Sequence, residues 1–310
     1  MRPKLSIIIC SYDRYDSLHE TIEWLFGRSD FSDARHELLV VENTPAKLRK
    51  PIHVPSGRNV RVGVCDDTGL SHARNYGIAH SFGEIIVFLD DDALVSPTWH
   101  SAIEEAFDSH PDAPIVGGKV VPHYRGETPP WYDDRLSGYL SCIDWGKATR
   151  RLRPGEWIVG ANMAFRREVF EQVGVFNTSL GRKGAASLLS NEEIALLERV
   201  GINRILYAPK MEVEHIIPAD RLTLKWFRRR VYWQAVSDMV SGSTYADEAA
   251  TIREYREIIM QLPAEHRNLS SLSFEPKTFA EFSLQLRAVY LAAVTMGSGL
   301  DVSTSPVQSA

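Results

Sequence analysis

Through about Val121, short runs of apolar and β-branched residues alternate with segments whose apolar positions recur every three or four residues, the signature of strands interleaved with helices. The runs predict strands over 5–10, 38–42, 59–65, 85–90 and 115–121. Between them Leu18, Ile22 and Leu25 fall on one helical face, and Pro97 opens a further helix where its missing N–H costs little. Runs as continuous as IIVFL belong to strands covered on both sides, so the pattern predicts a mostly parallel, doubly wound α/β sheet. In such sheets ligands gather at the carboxyl ends of strands, which here deliver Ser11 to Asp13, Glu42 to Thr44 and Asp90 to Asp92.

Beyond Val121 the signals change. A loop rich in Pro and aromatic residues, HYRGETPPWYDD, precedes a strand predicted over 157–165 and a short helix from Arg166. Residues 177–190 are weakly patterned, rich in small residues, and expected to be mobile. A helix over 191–200 and short strands near 204–207 and 212–216 follow, and from Asp220 the pattern is helical over 222–239, 246–262 and 279–296. The expected division is a domain over 1–218, with halves 1–121 and 122–218, and a helical C-terminal extension over 219–310.

Composition narrows the function class. With 44% hydrophobic and 24% charged residues, the 310-residue chain has the make-up of a globular enzyme. A net charge of -5 speaks against nucleic acid as the main partner, since neutralising phosphates calls for a basic surface. The three cysteines stand in no C-x-x-C spacing, which argues against a disulfide framework and fits a cytoplasmic location. The opening apolar run is too short for a signal-peptide core, and the apolar stretch over 286–300 falls short of the roughly 20 residues that span a bilayer.

Two segments carry candidate chemistry. IIVFLDDDALVSP brings Asp90, Asp91 and Asp92 to a strand end, where adjacent carboxylates repel unless a cation or hydrogen-bond donors compensate. A hard divalent ion bridging a diphosphate does so, and a solvated acidic turn is the structural alternative. GLSHARNYG, Gly69 to Gly77, allows close backbone approach and carries Arg74, whose fork of donors suits phosphate; an ordinary amphipathic helix is its alternative.

In their order, LSIIICSYDR, LLVVENT, GLSHARNYGIAHSFGEIIVFLDDD, VGANMAFRREVFEQVGVFNTSL and NEEIALLERVG resemble the family 2 glycosyltransferases of the GT-A fold over roughly the first 215 residues. The resemblance implies a GT-A, Rossmann-like twisted sheet flanked by helices. It also implies inverting transfer of a sugar from a nucleotide diphosphate donor, UDP by family frequency, with Mn2+ or Mg2+ as cofactor. Ser11, Tyr12, Asp13 and Glu42 would then line the nucleotide, Glu42 standing where the family usually has Asp, and Arg74 would close the uracil or phosphate side. Asp91 would hold the ribose, Asp90 and Asp92 the metal, and His215 in MEVEHIIP resembles a late histidine that some members use beside the metal. Glu193, where the family's E-D pattern has Asp, is the implied base, with Trp157, Asn162 and Glu192 on the acceptor side. The acceptor would be a carbohydrate or lipid-linked sugar.

The basic aromatic stretch LTLKWFRRRVYWQ either meets anionic head groups at the inner face of a membrane, as a peripheral contact, or packs its aromatics on the protein. It lacks the Q-x-x-R-W pattern of processive synthases, which favours addition of a single sugar. Two other functions share the layout: a catalytically silent nucleotide-sugar or carbohydrate binder, and a sugar-phosphate nucleotidyltransferase. The second would show a Gly-rich phosphate loop after the first strand, which is absent.

Overall fold

The computed structural model describes residues 3–184, 187–243 and 247–297. They form two compact units, one built within Met1–His123, Leu140–Ala186 and Glu192–Ile217, the other within Tyr124–Tyr139, Ser187–Asn191 and Pro218–Ala310.

The first unit is organised on a mixed sheet. Its strands are β1 (Leu5–Ser11), β2 (His36–Glu42), β3 (Val60–Val64), β4 (Ile85–Asp90), β5 (Ala93–Val95), β6 (Ile115–Tyr124), β7 (Arg150–Arg151), β8 (Asn162–Arg166) and β9 (Leu206–Ile217). They run in the order β3-β2-β1-β4-β8-β6-β9-β5, with β7 beside β9. The first four are mutually parallel, whereas β8 lies antiparallel to both β4 and β6, and β5 antiparallel to β9. The parallel half therefore directs the carboxyl ends of β1, β2 and β4 to one edge, with Cys10 opposite Asp90 and Ser11 opposite Glu42.

Helices α1 (Tyr15–Arg28), α2 (Leu70–His80), α3 (Trp99–Ser109), α4 (Glu168–Val173) and α5 (Glu192–Val200) flank the sheet. The α1 face is the one its spacing predicts, with Leu18, Ile22 and Leu25 buried. Ile8, Phe88 and Phe165 share one core with Ile78 of α2, Val169 and Phe170 of α4, and Leu196 and Leu197 of α5. The GLSHARNYG segment is thus a helix, opened by Gly69 at φ 142, and Gly77 lies where a Cβ would meet Ile8 at 2.5 Å.

Two strand expectations need correction. The strand over 157–165 begins only at Asn162, because the preceding chain turns aside: Ile158 packs onto Gly117, and Gly160 lies against Arg74 and Glu193. The two short strands near 204–207 and 212–216 are one strand, β9, which accommodates Pro209 internally. Within the segment expected to be mobile, Arg182 O accepts from Leu70 N, and Leu180 O from Ser71 Oγ, which ties residues 177–184 to the start of α2. Residues 185 and 186 of that segment lie outside the described residues.

The second unit holds α6 (Leu224–Val240), α7 (Glu248–Gln261) and α8 (Phe279–Gly297). Its aromatic centre is Phe227, fully buried and edge-on to Trp131, Tyr139 and Phe282. Arg228 donates to Gln285 Oε1 at 2.9 Å and to Phe274 O at 2.6 Å, so this part of the basic aromatic stretch serves packing. No helix among the described residues is long and apolar enough to cross a membrane. The final part of the expected extension, residues 298–310, lies outside the described residues.

At the junction of β6, β8 and β9 the backbone leaves no room. A Cβ on Gly118 would stand 1.9 Å from Met211 O and 2.2 Å from Asn162 Nδ2. Gly118→Ala is therefore predicted to cost about 1–3 kcal/mol, as overpacked cores do, or more because backbone is the obstacle. Urea unfolding checks this, and a midpoint equal to the parent's would show that the sheet yields there.

Candidate functional site

Two groups of charged side chains meet where β4 ends. In the first, Ser11 at the end of β1 donates its hydroxyl to Asp91 Oδ2 at 2.7 Å, and Arg14 bridges Asp91 Oδ1 at 3.0 Å and Asp92 Oδ2 at 2.7 Å. The Asp91 carbonyl accepts from Ser17 and Thr21 of α1. Burial pushes Asp91 up to about 7, against the pull of Arg14. Arg14 is a site residue that the sequence reading missed. Its position just beyond β1 is the available signal, since β1 pairs with β4 and the residues that follow each strand become neighbours.

His215 on β9 lies opposite Ala93, beside this group. Its Nδ1 is 2.8 Å from the Leu140 carbonyl, which can only accept, so Nδ1 carries a hydrogen and Nε2 is directed at Asp92 Oδ1, 3.2 Å away. An imidazole fixed through Nδ1 with Nε2 beside a carboxylate is the donor chemistry of a transition-metal or manganese-like site. Asp92 and His215 are donor types that a divalent ion accepts. Among the described residues no group of three His, Cys, Asp or Glu side chains is gathered for one, and Asp90 Oδ1 stands 4.0 Å from Arg74 Nη2.

The second group surrounds Arg74, whose side chain is 2% exposed. Its Nη1 lies 2.9 Å from Glu192 Oε1 and 3.1 Å from Glu193 Oε1 at the start of α5. Burial opposes the guanidinium charge, but Glu193, Glu192 and Asp90 together hold it above the ordinary arginine value. Asp90 keeps 37% of its side chain exposed, and both partial burial and the Asp92 charge raise it above the usual carboxylate range. The adjacent glutamates separate. Burial, and then the Glu193 charge, push Glu192 up to about 8, whereas Arg74 and local hydrogen bonds outweigh burial at Glu193 and lower it. One cation between two carboxylates leaves one of them to keep its proton, and it is Glu192, whose Oε2 is buried without a hydrogen-bond partner.

Several expected contacts take other places. Arg74 turns its guanidinium to the two glutamates rather than to an open phosphate or base position. Glu42 is buried, with Oε2 accepting from Tyr15 Oη at 2.8 Å and Oε1 from Thr44 N at 2.8 Å, so its carboxylate braces its own turn. Asp91 is engaged on both oxygens rather than open to a ribose. Asn162 is no acceptor contact: fully buried, it accepts from Trp99 Nε1 and donates to Met211 O and Lys119 O, cross-linking the sheet. Glu192, also expected on the acceptor side, is buried beneath Glu193. Tyr12 is half-buried, Asp13 is exposed at φ 51 with its N–H donating to Thr44 Oγ1, and Trp157 is 38% exposed.

Comparison with known proteins identifies the family and the fold. Residues 6–174 match the family model described as Glycosyl transferase family 2. The chain is 26% identical to the glucosyl-dolichyl phosphate glucuronosyltransferase of Haloferax volcanii, over 96% of this chain and 95% of that one. It is 26% identical to the succinoglycan biosynthesis protein ExoM of Rhizobium meliloti, over 81% of this chain and 78% of that one. Among solved structures, the mannosyltransferase PcManGT of Pyrobaculum calidifontis in complex with GDP-Man and Mn2+ shares the fold, with a TM-score of 0.59, 15% identity and coverage of 97% of this chain and 88% of that one.

The raised pKa of Glu192 couples folding stability to pH. Between the ordinary glutamate value of 4.5 and about 8, the folded chain holds a proton that the unfolded chain has released, so this group makes stability fall as pH rises through that window. Glu192→Gln removes the titration while keeping the oxygen that accepts from Arg74. The variant is predicted to gain stability relative to the parent steadily from pH 5 to pH 8 in urea melts. A constant difference across that range would show that Glu192 is ionised throughout.

Proposed function

The chain belongs to glycosyl transferase family 2, and on that premise we propose that it moves a single sugar, with inversion, from a nucleotide diphosphate sugar to a hydroxyl of a carbohydrate or lipid-linked sugar acceptor. The observation that carries the reading is the meeting of Arg74, Glu192 and Glu193 with the carboxylates at the end of β4. A transferase acting in one displacement needs a base for the acceptor hydroxyl on one side of the sugar and charge stabilisation for the departing diphosphate on the other.

Glu193 is the proposed base. It is ionised, 18% exposed, and held by Arg74 on the side away from solvent. As the acceptor oxygen bonds to the anomeric carbon, the hydroxyl proton passes to Glu193 and the bond to the diphosphate breaks with its electron pair. Arg74 keeps the carboxylate oriented, and the protonated Glu192 adds no second negative charge beside it. Asp92 and His215, with Asp90, are proposed to hold Mn2+ or Mg2+, which when bound neutralises charge on the diphosphate. Ser11, Tyr12 and Asp13 lie at the end of β1, where a nucleotide would be received, and UDP is the proposed carrier.

The name of the Haloferax volcanii relative supports a lipid-linked acceptor, and that of the Rhizobium meliloti relative supports a role in polysaccharide assembly. Delivery of a lipid-linked acceptor would bring the enzyme to the inner face of a membrane, with residues 229–230 of the basic aromatic stretch near anionic head groups. Sedimentation with anionic liposomes at low salt, reversed at high salt, is the expected behaviour.

Glu193→Gln keeps shape and hydrogen bonding but cannot take up a proton, and is predicted to lower transfer by about 10²–10⁴-fold with unchanged binding of UDP and manganese. Near-parental turnover would place the base elsewhere. Asp92→Asn should remove the manganese-dependent part of UDP affinity in calorimetry, and metal-dependent binding equal to the parent's would reject Asp92 as a ligand.

A further inference from the structure

The chain from Cys142 to Gly160 carries an aromatic feature that the transfer chemistry leaves unused. Trp145 and Trp157 stand edge to face, their rings 4.9 Å apart at 76°, with Trp157 38% exposed and Trp145 half-buried against the core. Aromatic residues of this size are costly to expose and are usually turned inward or used in recognition.

Trp145 is held at several points. Trp145 donates its backbone N–H to Tyr207 Oη at 3.2 Å and its indole N–H to the Trp157 carbonyl at 2.7 Å. Its carbonyl accepts from Arg150 Nη2 at 2.9 Å, and Arg150 is clamped by both oxygens of Glu156 at 2.7 Å. The backbone and ring of Trp145 are thus fixed at three points before any ligand arrives, which limits the ordering cost of binding.

A carboxylate adjoins the rings. Asp144, next in sequence to Trp145, keeps 53% of its side chain exposed, accepts from Gly146 N at 2.8 Å, and lies 3.3 Å from Lys119 Nζ. Slight burial works against its charge, but the Gly146 N–H and Lys119 hold its pKa below the usual carboxylate value, so at neutral pH it is an ionised acceptor open to solvent.

The feature is also close to the chemistry. Gly160 packs so tightly on the second charged group that a Cβ there would meet both Arg74 Nη2 and Glu193 Oε1 at 2.2 Å. Gly160 follows Trp157 by three positions, a span of at most about 10 Å of extended chain.

We propose that Trp145, Trp157 and Asp144 form the subsite for the acceptor's sugar ring, the indoles taking its C–H face and the carboxylate its hydroxyls. A pyranose is amphipathic in this sense, with an apolar ring face and hydroxyl donors at its rim. A polyprenyl chain gives no partner to Asp144, and a phosphate would be repelled by it. The inference rests on the proposed function, in which the acceptor carries a sugar ring, and Glu193 as the base sets only which side of the donor that ring approaches.

The probes are methyl glycosides of glucose, galactose and mannose, which carry a ring without lipid, and farnesyl phosphate, which carries lipid and phosphate without a ring. Saturation-transfer NMR on the full chain is expected to show contact to ring C–H protons of at least one glycoside. Trp157→Ala and Trp145→Ala should weaken that glycoside by roughly tenfold or more, as truncation of a recognition tryptophan does. Trp145→Phe should retain part of the affinity, and calorimetric binding of UDP with manganese should stay at the parental value in all three, which also reports that they fold. The proposal is overturned if no glycoside binds, if the alanine variants bind glycosides like the parent, or if only farnesyl phosphate binds. Glu193→Gln should bind glycosides normally. If it also keeps full turnover, the base assignment fails while the ring subsite stands on its own binding data.

Discussion

A single buried guanidinium governs the electrostatics of this protein. Arg74 has almost no access to water, so its charge must be answered by the chain itself, and the answer comes from two adjacent glutamates on a helix more than a hundred residues later. Two carboxylates on one cation are more than neutrality requires, and the surplus, with burial, raises Glu192 toward its protonated form. Removal of Arg74 would leave two acids facing each other in an apolar setting, a change that costs about 3–5 kcal/mol in comparable buried pairs. The helix that carries Arg74 is in turn fixed by close contact, since its Gly77 admits Ile8 where any side chain would exclude it.

The first charged group depends on sheet topology. Because β1 pairs in parallel with β4, the residues beyond Cys10 and those beyond Asp90 emerge side by side, and Arg14 meets Asp91 and Asp92 there. The adjacent acids are thereby divided by environment: Asp91 is tied to β1 and α1, Asp92 is shared between Arg14 and His215, and Asp90 remains the most exposed. Repulsion among neighbouring carboxylates, evident already in the sequence, is resolved by giving each a different partner.

Much of this was legible in the chain. Strands as apolar as IIVFL and a helix as regular as the one carrying Leu18, Ile22 and Leu25 announce themselves, because burial on both faces or on one stripe leaves a periodic trace. The ordered motifs also pointed to the family that the model match supports over residues 6–174. Roles that depend on distant partners were not legible. Asn162 was expected on the acceptor side, yet it is consumed by Trp99, Met211 and Lys119, none of them near it in sequence. Glu42 and Arg74 were expected to face a ligand, and each is claimed by other side chains. Nothing in the local pattern of 157–161 reveals that Gly117 and Arg74 crowd the chain out of strand geometry.

The position of β8 bears on how the molecule is made. It is late in sequence yet lies between β4 and β6, and is hydrogen-bonded to both. A nascent chain that has emerged only as far as residue 124 therefore presents one sheet fragment, β3-β2-β1-β4, with its β4 edge unpaired, and β6 without either of its neighbours. The β4 edge is closed only when Asn162–Arg166 leaves the ribosome, so the parallel half waits, exposed, for a strand synthesised some forty residues after its neighbour β6. Synthesis that stalls in this interval would yield a chain poised to pair with others, whereas a pause just after Arg166 would let β8 join β4 to β6 while the outer edge of β6 still awaits β9.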